Sequence, residues 1–161
     1  VIDGDLQVFG APDAESLGAA LSGLLTDVPE RGYLALLAYL PESDELNGYL
    51  DHMRTAARER FRLATTAGYG PRYLHSTGQY HKGGPDTGLF LLLTADPDRP
   101  RVKLPDRDHD LGTLQLAQAI GDLETLQERG RRVVRVHLGE DIESGLARVA
   151  QALRTARAAS A

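Results

Sequence analysis

The chain has no cysteine. That excludes a disulfide framework and thiolate chemistry, and it suits a reducing, cytoplasmic setting. No apolar run approaches the roughly 20 residues that a membrane-spanning helix requires. No basic stretch followed by an apolar one marks a secretion signal. Acid is absent from one window: between Arg60 and Pro85 there is no Asp or Glu, although the chain as a whole carries a net charge of -5. An acidic balance argues against non-specific nucleic-acid binding. Methionine occurs once, at Met53, and the sequence opens on Val1. It therefore reads as a fragment of a longer chain or a processed product, and such a domain can carry only part of a site.

What is present suits one domain. The length allows a real core but is short for two. Leu6-Gln7-Val8-Phe9 reads as a short strand closed by Gly10 and Pro12. Asp13 is placed to cap a helix whose apolar positions are Leu17, Ala20, Leu21, Leu24 and Val28. Tyr33 to Leu40 is a continuous apolar run of strand length, as expected of a strand covered on both faces. Ser43 or Asp44 can cap a second helix, with a stripe of Leu46, Tyr49, Leu50, Met53, Ala57, Phe61 and Ala64. Leu89 to Thr94 is another buried strand. Leu111, Leu114, Ala117, Ile120 and Leu123 set a further helix. Arg131 to Leu138 alternates, with Val134 and Val136 on one face and Val133 on the other. Ile142, Leu146, Val149, Ala150 and Leu153 mark the last helix, with Glu140 and Asp141 at its positive end. Strands alternating with helices predict a three-layer α/β sandwich around a parallel sheet of four to five strands. Sheets of this kind bind ligands beyond the carboxyl ends of their strands.

The acid-free window holds Arg60, Arg62, Arg72, Lys82, His75 and His81. A local cationic island on an acidic protein points to a small anion rather than a polyanion. Its densest part runs from Gly70 to Pro85, where Gly78, Gly83 and Gly84 let the backbone approach a ligand. Ser76, Thr77 and Gln79 can present hydroxyls, backbone N–H groups and an amide to a phosphate or to sugar hydroxyls. His75 and His81 can move protons near neutral pH. Arg72 and Lys82 can neutralise a phosphate or a developing oxyanion. The plain alternative is a polar surface loop whose glycines merely turn the chain, and no nucleotide-binding glycine pattern is present.

The segment His75-Ser76-Thr77-Gly78-Gln79-Tyr80-His81-Lys82-Gly83-Gly84-Pro85 resembles the C-terminal half of the glucose-6-phosphate isomerase part of bacterial transaldolase–isomerase fusion proteins. Gly68 to Leu74, Ala117 to Asp122 and Arg131 to Leu138 look like the same family. The resemblance runs over most of the chain from about Tyr33 onward and implies a flavodoxin-like sugar-isomerase domain, the second of a pair with the active site between them; residues 1–161 read as that single domain. It implies aldose–ketose isomerisation of a phosphosugar through a cis-enediol, with no metal or organic cofactor. It implies as partners the phosphosugar and the N-terminal portion of a parent chain, and it admits a homo-oligomer. No partner of nucleic acid or membrane is implied.

Two features of that family are missing. No Glu precedes Ser76-Thr77-Gly78-Gln79, where ordinary isomerases carry a catalytic one. No lysine follows Glu140-Asp141-Ile142-Glu143, the nearest segment to the family's late motif. The usual base and lysine are therefore not carried over. His75 and His81 are candidate proton movers by their chemistry, and Arg72, Ser76, Thr77, Gln79 and Lys82 are candidate substrate contacts. The competing expectation is a non-catalytic domain of a transaldolase fusion that binds a phosphosugar or packs on its partner. Elsewhere, His52 and His109 read as surface residues. His137 lies near the carboxyl end of a strand but reads as a packing residue. Glu42, Asp44 and Glu45 read as helix-capping acids, and the acidic run Asp106–Asp110 lacks metal-ligand spacing.

Overall fold

The computed structural model describes residues 1–96, 102–105 and 108–157. Its strands are β1 (Ile2–Asp3), β2 (Leu6–Phe9), β3 (Tyr33–Tyr39), β4 (Ala64–Tyr69), β5 (Gly88–Thr94) and β6 (Arg132–His137). Its helices are α1 (Leu17–Leu24), α2 (Asp44–Phe61), α3 (Thr77–Gly83), α4 (Leu111–Glu128) and α5 (Ile142–Thr155), and a 3-10 turn covers Arg72–His75. One sheet holds all six strands in the order β1-β2-β6-β5-β3-β4. Strands β4, β3, β5 and β6 are parallel, whereas β2 runs antiparallel to β6 and β1 antiparallel to β2.

The continuous apolar runs of β3 and β5 have the expected cause, since each strand is covered on both faces. Alternate residues divide between two cores. Leu34, Leu36, Ala38, Leu89, Leu91, Leu93, Val134 and Val136 pack with α1, α2 and α5. Ala35, Leu37, Tyr39, Phe90, Leu92 and Val133 pack with Tyr73 and with Ala119, Leu123 and Leu126 of α4. Each large apolar side chain so buried stabilises the fold by about 1.5–3 kcal/mol relative to exposure. Ser16, Ser43, Asp110 and Asp141 cap four of the helices by accepting from backbone N–H groups three residues on.

Several expectations need correction. The sheet has six strands and is mixed, not four to five and wholly parallel. The second helix ends at Phe61, with Arg62 in the left-handed region, and Ala64 already belongs to β4. The cap of α1 is Ser16, not Asp13. The buried stripe of α4 is Ala119, Asp122, Leu123 and Leu126, while Leu111, Leu114 and Ile120 are exposed.

The chain moves from β3 outward to β4, then crosses back over β3 to β5 and continues to β6. Connections therefore diverge between β3 and β5, which creates a switch point where ligands bind in open α/β sheets. A crevice of about 170 Å³ lies there, lined by Tyr39, Pro41, Ala95, Asp96 and the first turns of α4.

Candidate functional site

The segment after β4 folds as two short helical pieces rather than as an open loop. The N–H of Gly70 donates to the carbonyl of Ala38 at 2.8 Å, which brings its backbone against the ring of Tyr39. A Cβ at Gly70 would meet that ring at 2.5 Å, so only glycine fits without movement. The 3-10 turn closes through Leu74 N–H to Pro71 and Ser76 N–H to Tyr73, both at 3.0 Å. Ser76 then leaves helical geometry, α3 begins at Thr77, and Gly84 ends it. Helical spacing sorts the side chains. Tyr73, Gly78 and His81 are buried, while Arg72, His75, Ser76, Thr77, Gln79 and Tyr80 are exposed.

The buried side of this segment is held by Asp122, which is 4% exposed in the middle of α4. Tyr73 donates its hydroxyl to Asp122 Oδ2 in a short hydrogen bond. The Tyr39 and Tyr73 hydroxyls are 3.5 Å apart. Lys82 Nζ lies 2.6 Å from Asp122 Oδ1, as a close ion pair rather than an aligned hydrogen bond. A carboxylate taken out of water needs such partners, since an unpaired buried charge costs several kcal/mol. The carboxylate and burial act together on the phenols. Burial, with a smaller contribution from Asp122, pushes Tyr39 up to about 12. Tyr73, more deeply placed and bonded to Asp122, is held far above the ordinary range, burial being the larger cause. Both therefore stay un-ionised.

His81 occupies the same core. Its Nδ1 lies 2.9 Å from the Tyr33 hydroxyl, and its ring packs edge-on against Phe90 with centroids 5.2 Å apart. Its Nε2 is shielded from solvent and makes no hydrogen bond. Burial is the main influence on this imidazole and lowers its pKa, with the Lys82 charge adding to the effect and Asp122 opposing it. Tyr33 is raised to about 12, mainly by burial.

The residues singled out in the sequence thus separate into two groups. His81 and Lys82 join the interior network with Tyr33, Tyr73 and Asp122. Arg72, His75, Ser76, Thr77 and Gln79 remain on the outer surface. Arg72 pairs with Glu42 at 3.1 Å, both side chains being largely solvated, so this contact is worth little. Ser76 Oγ donates to the carbonyl of Tyr73 at 3.2 Å. The structure does not bring His75 and His81 into one environment. Among the described residues no three carboxylate, imidazole or thiol groups gather as a metal would require.

Sequence reasoning missed Tyr33, Tyr39, Tyr73 and Asp122 as parts of the site. One signal was available for Asp122: it falls one turn from Ala119 and from Leu126, a carboxylate on a helix face that is otherwise apolar. Such a residue calls for a cation or a donor from a neighbouring element.

No family model matches the chain, and no curated protein matches it. Among solved structures it is similar to a hypothetical protein, TT0462, of Thermus thermophilus, with a TM-score of 0.63 and 19% identity. The likeness covers 84% of this chain and 36% of the Thermus chain, so this chain spans about a third of that protein. At this identity the similarity establishes the fold alone, which in this chain is an α/β domain built on a six-stranded, mostly parallel sheet.

Proposed function

We propose that the chain is the second sugar-isomerase domain of a glucose-6-phosphate isomerase module joined to transaldolase, and that it forms one wall of a phosphosugar cleft completed by a preceding domain. The observation that carries the reading is the anchoring of the His75–Pro85 segment. Its resemblance to the isomerase half of such fusions lies in a stretch whose inward residues are fixed by Asp122 and Tyr33 and whose polar residues are left outward. A rigid base presenting solvated polar groups is what a binding wall requires. The order of the parallel strands, with the outward step to β4 and the return to β5, supports a flavodoxin-like, sugar-isomerase type of fold.

In this reading His75 meets the substrate, because His81 is closed off in the core. His75 assists proton transfer between the two carbons of the enediol, and Arg72, Ser76, Thr77 and Gln79 contact the phosphosugar. His81 and Lys82 keep the segment in place. The test is a coupled assay of glucose 6-phosphate to fructose 6-phosphate conversion by the full parent chain. His75→Ala should lower kcat by about 100-fold or more, as loss of a general acid or base does. No turnover by the parent, or an unchanged His75→Ala variant, refutes the reading.

A second reading is a phosphosugar-binding or packing domain without catalysis. It is favoured by the pairing of both cations of the segment, Arg72 with Glu42 and Lys82 with Asp122. Binding of glucose 6-phosphate by the parent without isomerisation would select it.

A further inference from the structure

Thr94 and His137 end the neighbouring parallel strands β5 and β6 and stand opposite each other in register. Thr94 is 1% exposed. Its Oγ1 lies 3.1 Å from His137 Nδ1 and 3.5 Å from Arg135 Nη1. Arg135 can only donate, so Thr94 accepts from it, and the same oxygen is in hydrogen-bond contact with Nδ1. The outward neighbour is Asp96, whose Oδ1 is 3.4 Å from Nε2, beyond a normal hydrogen bond, and whose side chain is 72% exposed. Arg135 is two residues from His137 on the same face of β6.

Arg135 is a half-buried cation with no carboxylate partner among the described residues. Its guanidinium carbon is 3.9 Å from the centroid of the Phe9 ring, and its Nε is sealed from solvent with no acceptor. Burial pushes its pKa below the ordinary value. A cation held in this state attracts an anion more strongly than a solvated one does. Asp96 also lines the crevice at the switch point, together with Tyr39, Gly112 and Gln115.

We propose that Arg135 and His137, bridged by Thr94 near the carboxyl ends of β5 and β6, form an oxyanion site beside the crevice that Asp96 lines, that its ligand is the phosphate group of a small metabolite, and that Asp96 is the internal anion it displaces. A dianionic phosphate brings two charges where Asp96 brings one, and its oxygens match guanidinium and imidazole donors.

The site is testable on this chain alone, by titrating inorganic phosphate and, separately, acetate while following the backbone amide resonances of residues 94, 135 and 137 and the side-chain N–H resonances of Arg135 and His137. Wild type should bind phosphate more tightly than acetate. Asp96→Asn should tighten phosphate about two- to fivefold, the worth of one exposed like charge. Arg135→Gln should weaken it about tenfold or more, as loss of a charged donor does. His137→Gln, which leaves the Phe9 contact untouched, should weaken it as well and serves if Arg135→Gln does not fold. Absence of local shifts at millimolar phosphate, unchanged binding in both donor variants, weaker binding in Asp96→Asn, or equal affinity for acetate would each overturn the proposal. The isomerase reading can fail without affecting this result, because no turnover is measured.

Discussion

Replacing Asp122 should loosen the whole segment that follows β4. The carboxylate is 2% exposed at its side chain and is shared by the Lys82 ammonium and the Tyr73 hydroxyl. Breaking a buried ion pair by removing one partner costs about 3–5 kcal/mol, because the other charge is stranded. Lys82 is 22% exposed and can turn its head toward water, which reduces that cost. Asp122→Asn also keeps an acceptor for Tyr73, so about 2–3 kcal/mol is expected. Asp122→Ala loses that acceptor too and should cost about 3–5 kcal/mol, a large share of a typical domain's 5–15. Lys82→Met alone leaves the carboxylate with one donor and should cost about as much as Asp122→Asn. The double variant Asp122→Asn with Lys82→Met should cost far less than the sum, with a coupling of about 2 kcal/mol. Urea denaturation followed by circular dichroism measures each variant against the wild type. Loss of less than about 0.5 kcal/mol in Asp122→Asn, or additive effects in the double variant, would refute the reasoning.

Three further outcomes follow from the same core. His81 has a folded-state pKa below its ordinary 6.5, so the unfolded chain binds a proton that the folded one refuses. Its contribution is complete above pH 6.5 and is lost as pH falls toward the lowered value; a series of urea midpoints down to about pH 5 should show this decline, and His81→Gln should flatten it. In an ultraviolet titration Tyr33 and Tyr39 should ionise near 12 and Tyr73 only on unfolding, whereas a single ordinary transition for all six tyrosines would contradict the burial described. Gly70→Ala drives a Cβ into the Tyr39 ring and should cost about 1–3 kcal/mol in thermal or urea unfolding, with no such loss at Gly83, where a Cβ meets open space.

The parts of the fold that read clearly were those where one local pattern decides. Tyr33–Leu40 and Leu89–Thr94 are apolar throughout because both of their faces are covered, and Leu46, Leu50, Met53 and Ala57 repeat at helical spacing because one face of α2 is. β4 carried no such signal. It is Ala64-Thr65-Thr66-Ala67-Gly68-Tyr69 on the sheet edge, without a fully buried residue, so the helical stripe ran on into it. The direction of β2 was not legible, since alternation says which face a residue takes and nothing about strand polarity. In α4 the apolar residues surround the helix and the true core face includes a carboxylate, so the hydrophobic phase pointed to Leu111, Leu114 and Ile120 instead. The candidate site was legible as a chemically unusual segment. Its division into buried and exposed halves was not, because Gly78, Gly83 and Gly84 disguised a short helix as a loop. Asp122 lies far away in sequence, and its partnership with Tyr73 and Lys82 exists only in three dimensions.

The most direct test of the account is a crystal structure of the parent chain with glucose 6-phosphate or fructose 6-phosphate bound. The account predicts the sugar in a cleft between this domain and the one before it, with His75 and Arg72 against the ligand and Lys82 still on Asp122. A ligand seated elsewhere, with His75 directed into bulk solvent, would contradict it.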